Sequence, residues 1–228
     1  MKFTLVDKKA ITDGVTTFIF EPPEDITWEA GQYMHYVLDH KNTDNRGHER
    51  WFTISSPPFE KHPAITTRFT AEKGSSFKKA LDNMKLGDQI EADGVEGDFV
   101  INDSSKQYIF IVGGIGITPF HSILRQLDHN KKPINVDLMY ANRDHSFPFD
   151  NEFQTIAKRN PNFRIHKFAD PKRIEEADIK AVAQKLDDPQ YYVSGPWPMV
   201  DAFDKLLKTM GIADGKIHND DFPGYETI

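Results

Sequence analysis

The hydrophobic and polar positions of this chain follow one pattern in the first half and another in the second. Up to about residue 103, short runs of alternating apolar and polar residues are separated by turn-forming residues, which is typical of antiparallel strands. The clearest predicted strands are residues 15–20, 33–38, 51–54 and 65–70. Phe77, Leu81 and Met84 instead repeat at helical spacing, after serines that can cap a helix and before Gly87. We therefore predict an antiparallel β-barrel with one helix.

Beyond residue 103 the pattern changes to apolar strands that alternate with amphipathic helices. The predicted strands are residues 108–112, 136–140, 163–168 and 191–194. The predicted helices start at Pro119 and Asn151, lie near Ile179, and cover residues 198–210. This alternation indicates a doubly wound α/β domain with a parallel sheet. A polar stretch at residues 102–106 separates the two patterns, so the predicted domains are residues 1–103 and 104–228.

Composition narrows the class of protein. A length of 228 residues suits two domains of about 100 to 130 residues each, and 38% hydrophobic residues can form two cores. A net charge of −7 argues against nucleic acid or an anionic membrane surface as the main partner. No apolar run reaches the roughly 18 residues of a membrane span, and the first residues lack the apolar core of a signal peptide. We expect a cytoplasmic protein, and the oligomeric state is left open.

The strongest chemical motif follows the apolar strand at residues 109–112. It reads Gly113-Gly114-Ile115-Gly116-Ile117-Thr118-Pro119. Glycines at this place allow a tight turn and let a pyrophosphate approach the amides of a helix N-terminus. Pro119 stands where the usual fingerprint has its third glycine, and no acidic residue ends the second strand, so a turn that serves packing alone is the alternative. The motif predicts a dinucleotide site at Gly113, Gly114, Gly116, Ile117, Thr118 and Pro119.

Two motifs in the first half suit a second nucleotide. In Arg50-Trp51-Phe52-Thr53 the guanidinium can bind a diphosphate, the Phe52 ring can stack on a planar heterocycle, and the hydroxyl can reach a ring nitrogen. A half-buried structural strand is the alternative. Gly74, Ser75 and Ser76 open the predicted helix, where amides, hydroxyls and the helix dipole can bind an anion, or where the serines act only as a cap. Together the motifs predict a flavin and a nicotinamide nucleotide that meet between the domains.

The order of these motifs resembles that of the ferredoxin-NADP reductase-like family of FAD oxidoreductases, and the resemblance covers nearly the whole chain, including Gly31-Gln32-Tyr33. It implies that Arg50 binds the FAD diphosphate, Phe52 stacks on the isoalloxazine, and Thr53 bonds near flavin N5. Gly74, Ser75 and Ser76 resemble the family's second FAD phosphate motif. Phe52 stands where the family has Tyr, so one hydroxyl contact to FAD is lost while stacking is kept.

Two further segments carry the resemblance. Ser194-Gly195-Pro196, with Met199, resembles the family's Cys-Gly-Pro segment beside the nicotinamide, with Ser194 in place of Cys. Because hydride transfer between two cofactors needs no side-chain base, serine is expected to be tolerated there. Near the C-terminus, Phe222, or Tyr225 as second choice, is expected to supply the aromatic ring over the flavin or nicotinamide. A frayed terminus is the alternative for this tail.

The donor and acceptor are less constrained. Asp170 suits the free ribose hydroxyl of NADH, whereas Arg143 with Lys172 and Arg173 suits the 2′-phosphate of NADPH, and the balance favours NADH. The chain has no Cys and therefore no Cys-ligated cluster, so we expect a separate electron-acceptor protein such as a ferredoxin or flavodoxin. A reductase of free flavin, quinones or ferric chelates is the first alternative, and a non-catalytic nucleotide-binding module is the second.

Other chemistry has weaker support. The histidines lack metal-ligand spacing, so no metal site is expected. No Gly-x-Ser-x-Gly elbow is present, which argues against a hydrolase. The acidic pairs Asp187-Asp188 and Asp220-Asp221 are interpreted as solvated charges without a catalytic role.

Overall fold

The computed structural model describes residues 1–69 and 74–222. The first half is a six-stranded antiparallel sheet in the order β4-β3-β6-β1-β2-β5. Its strands are β1 Lys2–Thr12, β2 Val15–Glu21, β3 Tyr33–Val37, β4 Glu49–Thr53, β5 Ala64–Arg68 and β6 Gln89–Glu96. Just beyond β4, the amide of Ser55 donates to the carbonyl of Ala64 at 2.9 Å, so the sheet curls into a nearly closed barrel. The predicted barrel is confirmed.

Alternation of side chains builds the barrel core. Phe18 and Phe20 on β2 and Met34 and Tyr36 on β3 point to one side of the sheet and are fully buried. The helix α1, Ser76–Asn83, adds Phe77 and Leu81 to the same core. This packing holds the N-terminus of α1 close to β4, which is where two of the predicted site motifs lie.

The second half is a parallel five-stranded sheet in the order β11-β10-β7-β8-β9. Its strands are β7 Tyr108–Gly113, β8 Val136–Asn142, β9 Phe163–Ala169, β10 Gln190–Pro196 and β11 Ile217–Phe222, and its helices are α2 Ile117–His129, α3 Asp150–Arg159, α4 Glu176–Ala183 and α5 Trp197–Thr209. One apolar cluster contains Phe110 and Phe120, and another contains Ile111 and Val193. The sheet is therefore covered on both faces, and the predicted α/β domain is confirmed.

Several boundaries differ from the sequence-based expectations. The helix predicted to start at Pro119 begins two residues earlier, and Pro119 lies in its first turn, where a missing N–H costs no helical hydrogen bond. Strand β11 was not predicted, because the polar stretch from His218 to Asp221 shows no apolar alternation. The predicted boundary between residues 103 and 104 falls between β6 and β7 and stays a prediction.

Across residues 1–69 and 74–222, none of the helices is both long and apolar enough to cross a bilayer.

The strand order places the candidate site. From β7 the chain moves outward through β8 to β9 and then returns to the other side of β7 to form β10. In open parallel sheets, such a reversal leaves a crevice at the carboxyl ends of the two central strands, and ligands bind there. We call this place the switch-point crevice. It lies where β7 ends at Gly113 and β10 ends at Pro196.

Candidate functional site

The three glycines of the loop after β7 have different roles. Gly114 has a φ of +54°, which favours glycine, and a Cβ added there would meet only Asn142 Oδ1, at 3.8 Å. The Met199 side chain lies over Gly113, since an added Cβ would come within 2.2 Å of its sulfur. At Gly116 an added Cβ would lie 2.4 Å from the Ser194 carbonyl oxygen. The loop therefore packs directly on the segment that contains Ser194 and Met199.

The loop leads into a helix end that suits a phosphate. Gly116 is the N-cap of α2, and no side chain caps the helix there. The Thr118 hydroxyl donates to the Ile115 carbonyl at 3.2 Å, and Ile117 is fully buried. A thirteen-residue helix presents partial positive charge and amide N–H groups at such an end, which are the requirements of a pyrophosphate site. The glycine loop thus has the geometry that a dinucleotide requires.

The segment after β10 joins the same crevice. A Cβ added at Gly195 would lie 3.3 Å from the Gly113 backbone, so the ends of β7 and β10 touch. Pro196 ends β10, and Met199 lies in the first turn of α5. The structure therefore brings together the residues that the two motifs of the second half contribute: Gly113, Gly114, Gly116, Ile117, Thr118, Pro119, Ser194, Gly195, Pro196 and Met199.

Beside this crevice lies a serine–carboxylate pair that the sequence analysis missed. Ser194 and Asp220 are register partners on β10 and β11, and the fully buried Ser194 hydroxyl donates to Asp220 Oδ2 at 2.9 Å. Burial of the Asp220 carboxyl raises its pKa to about 6, against the lowering effect of the Ser194 hydrogen bond, and the negative charge of Asp221 raises it further. The interpretation of Asp220 as a solvated charge was therefore wrong, whereas Asp221 is exposed.

The expected aromatic residue is only partly described. The backbone of Phe222 pairs with Pro196 at the end of β11, which puts its Cα at the edge of the switch-point crevice. Its side chain and the whole of Tyr225 lie outside the described residues. Their assignment stays a prediction.

On the barrel side, β4 presents its motif toward α1. The Phe52 ring lies 5.8 Å from that of Phe77. The Arg50 guanidinium lies 5.4 Å from the centre of the Phe77 ring and donates to the Arg46 carbonyl at 2.7 Å. Thr53 ends the strand and is buried. Arg50 and Phe52 therefore converge on the helix that begins with the second motif.

The start of α1 is already tied to a neighbouring loop. Ser75 is the N-cap, and its hydroxyl accepts from the Lys78 amide at 3.2 Å. The Ser76 amide donates to Asp44 Oδ2 at 2.8 Å, and the Ser76 hydroxyl accepts from the Asp44 amide at 3.0 Å. Arg46 also donates to the Asp44 carboxylate, at 2.6 Å, and this bond holds the pKa of Asp44 far below its usual range. The carboxylate thus shows that this helix end binds a negatively charged group.

Four charged side chains form what we call the basic cluster: Asp44, Arg46, Arg50 and Lys78. Burial lowers the pKa of Lys78 to about 8, and the positive charges of Arg50 and Arg46 contribute to the lowering. Three cations around one carboxylate leave an excess of two positive charges, which matches the two negative charges of a dinucleotide diphosphate. The residues present therefore fit the diphosphate of FAD. Asp44, Arg46 and Lys78 were missed from the sequence, although Lys78 lies only three residues beyond the predicted cap.

Arg68, the last residue of β5, connects the basic cluster to the glycine loop. Its carbonyl accepts from Lys78 Nζ at 3.1 Å. Its guanidinium donates to Asn142 Oδ1 at 3.4 Å, and Asn142 is the residue next to which Gly114 lies. A second contact joins Arg68 to Asp144 at 3.6 Å. The two candidate phosphate sites, the basic cluster and the glycine loop, therefore lie on either side of one arginine.

The residues expected to select the donor lie on neighbouring loops. Arg143 follows β8 and Asp170 follows β9, and both are exposed. Their loops start from Asn142 and Ala169, which are register partners in the sheet. The arrangement suits an adenosine ribose with or without a 2′-phosphate, so the preference for NADH over NADPH stays a prediction.

Among residues 1–69 and 74–222, no three His, Asp or Glu side chains are grouped as metal ligands.

Comparison with known proteins supports the fold and the second-half site. Residues 110–205 match the family model described as the oxidoreductase NAD-binding domain. The chain is 24% identical to a flavohemoprotein of Bacillus thuringiensis, over 96% of this chain and 60% of that protein. It is also 24% identical to the ferredoxin reductase component of a 3-ketosteroid-9-alpha-monooxygenase of Rhodococcus rhodochrous, over 92% of this chain and 62% of that protein. The chain thus spans about three fifths of the length of these relatives.

A solved structure has the same fold. The flavohem-like FAD/NAD binding domain of a nitric oxide dioxygenase from Vibrio cholerae matches with a TM-score of 0.82 at 20% identity. The match covers 97% of this chain and 98% of that domain. Both halves of the chain, in the same arrangement, therefore recur in a protein with little sequence identity to it.

Proposed function

We propose that this chain is an FAD-dependent NAD(P)H oxidoreductase of the ferredoxin-NADP reductase-like family, which its fold and the NAD-binding family model over residues 110–205 support. The proposal rests above all on the arrangement around Arg68. That residue joins a basic cluster that suits an FAD diphosphate to a glycine loop that suits a nicotinamide dinucleotide. FAD, when bound, takes up a hydride from the nicotinamide and releases the electrons to a further carrier.

The residues of the chain would divide the work between binding and orientation. Arg46, Arg50 and Lys78 would hold the FAD diphosphate, with Gly74, Ser75 and Ser76 at the start of α1. Phe52 would stack on the flavin ring and Thr53 would donate to it. The glycine loop and the N-terminus of α2 would hold the second pyrophosphate. Ser194, held in place by Asp220, would orient the nicotinamide beside Gly195, Pro196 and Met199.

The donor and the acceptor are part of the same proposal. NADH is favoured because the exposed Asp170 carboxylate suits a free ribose hydroxyl, with Arg143 as the residue that would favour NADPH. A separate electron-acceptor protein is supported by the relative that is the ferredoxin reductase component of a monooxygenase. A cytoplasmic location, where NADH and NADPH are supplied, completes the proposal.

The direct test is an anaerobic absorbance titration of the purified protein, loaded with FAD, with NADH and separately with NADPH. The oxidised-flavin band near roughly 450 nm should bleach, and the donor with the lower half-saturation is the preferred one. A protein that binds no FAD and oxidises neither donor would be a nucleotide-binding module instead. The turnover rate with free flavin or quinones is then compared with the rate with ferredoxin or flavodoxin. Equal rates would favour the alternative function, a reductase of small acceptors.

The raised pKa of Asp220 predicts a pH dependence of stability. Its ordinary value is 3.8, so between about pH 4 and 6 the folded state binds a proton that the unfolded state has lost, and stability falls as pH rises through about 6. Asp220→Asn removes the cost of burying the charge. We expect this variant to exceed the wild type by about 1–2 kcal/mol in free energy of unfolding at about pH 8, and to equal it below about pH 4.

Urea denaturation at the two pH values measures this difference. Asp221→Asn is the matched control, since Asp221 is the adjacent residue on the same strand and is exposed. We expect the control to change the free energy of unfolding by less than about 0.5 kcal/mol. Equal behaviour of the two variants at about pH 8 would contradict the buried carboxylate.

A further inference from the structure

Helix α2 makes a second set of contacts, one turn beyond its glycine end. There it packs against residues 55–60, the segment that directly follows the flavin strand β4. Three hydrogen bonds cross this contact. His121 Nδ1 lies 2.7 Å from the Ser55 carbonyl, the Ser122 hydroxyl donates to the Ser56 carbonyl at 2.8 Å, and the Phe59 amide donates to Gln126 at 3.1 Å. We call this contact the interdomain seam.

His121 occupies the centre of the seam. Its side chain is almost completely buried, and its ring stacks on that of Phe149 at a centroid distance of 3.7 Å. Both ring nitrogens face oxygens that can only accept, because Nε2 lies 3.3 Å from Glu152 Oε2 while Nδ1 lies against the Ser55 carbonyl. Only the doubly protonated imidazolium donates to both. A neutral ring satisfies one acceptor and turns a lone pair toward the other.

Charged side chains of both signs lie around the ring. Glu152 on α3 faces it directly, and Arg125 on α2 lies 3.2 Å from the same carboxylate oxygen. Glu60, on the short 3-10 turn Pro58–Glu60, binds the other side of Arg125 at 2.6 Å, and Lys9 of β1 adds positive charge. Burial opposes the charge of Glu152, but the hydrogen bond and charge of His121, with Arg125 and Lys9, lower its pKa overall. Glu152 is therefore an anion beside the ring.

The seam connects the two cofactor-binding elements by a short path. Ser55 lies two residues beyond Thr53, and His121 lies four residues beyond Ile117 at the start of α2. A shift at the seam thus moves the glycine loop relative to the flavin strand. Hydride transfer depends steeply on such a distance, since a misplacement of about 1 Å can cost about a hundredfold in rate.

We infer that His121 is a positioning residue, whose Nδ1 bond to the Ser55 carbonyl holds α2 against the segment after β4 and so sets the nicotinamide-to-flavin geometry. This inference rests on the proposed function for its effect on rate, but not for the seam itself. Loss of the Nδ1 bond loosens the seam, and the rate of flavin reduction by NAD(P)H is then expected to fall about tenfold.

The protonation state is tested without any cofactor chemistry. Long-range proton–nitrogen NMR of the FAD-loaded protein reports both ring nitrogens of each histidine, and comparison with His121→Gln assigns the signal. We expect Nδ1 of His121 to carry a proton, because the Ser55 carbonyl that it faces can only accept. Hydrogen exchange at the Phe59 amide, which bonds to Gln126 across the seam, should be faster in His121→Phe than in the wild type. A His121 ring that carries its only proton on Nε2 overturns the inference.

The rate is tested with two variants. His121→Phe keeps an aromatic ring against Phe149 but has no nitrogen, so we expect flavin reduction about tenfold slower than in the wild type. His145→Gln, in an exposed loop, is the matched control and should keep the wild-type rate.

The two proposals fail separately. If the wild type never reduces FAD, the proposed function is wrong, and the NMR and exchange results still decide on the seam. If His121→Phe reduces FAD at the wild-type rate, the positioning role is wrong and the reductase function stands.

Discussion

Gly116→Ala is expected to destabilise the protein by about 3 kcal/mol and to abolish high-affinity binding of NAD(P)H. The backbone φ of −58° is open to any residue, so the effect comes from space alone. The added methyl carbon would lie 2.4 Å from the Ser194 carbonyl oxygen and 2.7 Å from the Gly195 Cα. Backbone atoms cannot rotate away as side-chain ends do, and the loop must move off β10. Urea denaturation and a binding titration with NADH measure the two effects.

The control is Gly215→Ala, on a short 3-10 turn where an added Cβ meets nothing within 4 Å. It should change the free energy of unfolding by less than about 0.5 kcal/mol. Gly113→Ala should destabilise the protein less than Gly116→Ala does, because its methyl group would meet the flexible end of the Met199 side chain and not backbone atoms. If Gly116→Ala binds NADH as tightly as the control does, the role assigned to the glycine loop is wrong.

Arg50→Ala is expected to weaken FAD binding about a hundredfold, or about 2.7 kcal/mol. Its guanidinium lies in the basic cluster against Phe77, and charge-assisted bonds to a diphosphate are the strongest that a side chain of this kind makes. Fluorescence titration of the apoprotein with FAD gives the dissociation constant. Full retention of FAD by the variant after extensive dialysis would contradict the assignment.

Lys78→Met tests the same cluster at a residue that the sequence motif does not include. Lys78 is mostly buried, and its pKa of about 8 leaves it cationic at about pH 7. Its removal is expected to weaken FAD binding about tenfold, since one charge-assisted bond is worth about 1.5 kcal/mol. Lys79→Met is the matched control, because Lys79 is the next residue of the same helix and is exposed. Equal FAD affinities of the two variants would exclude Lys78 from the diphosphate site.

The elements that the sequence predicted well are those whose signal is local. Strand β7 was predicted to within one residue, because a continuous apolar run ends at two glycines. The Arg50 motif and the glycine loop were recognised because each is a short run of neighbouring residues with a distinctive order. Strand β11 was missed because its polar residues become a strand only through pairing with β10.

The contacts that the sequence did not predict share a different cause. Ser194 and Asp220 are 26 positions apart and meet only because β10 and β11 are parallel neighbours. Asp44 and Ser76 are 32 positions apart, and His121 and Ser55 are 66 apart. A carboxylate in sequence gives no sign of whether it will be buried, so the pKa of Asp220 could not be inferred before its neighbours were known.

By itself, the sequence determined the two classes of domain, the barrel and the parallel sheet, and the place of the glycine loop, because periodicity and glycine placement act within a few residues. The tertiary structure alone decided which charges surround one another: the basic cluster, the Ser194–Asp220 pair and the seam around His121. The reason is physical, since hydrogen bonding, burial and Coulomb interactions depend on distance in space, and distance between remote segments is set only when the chain has packed.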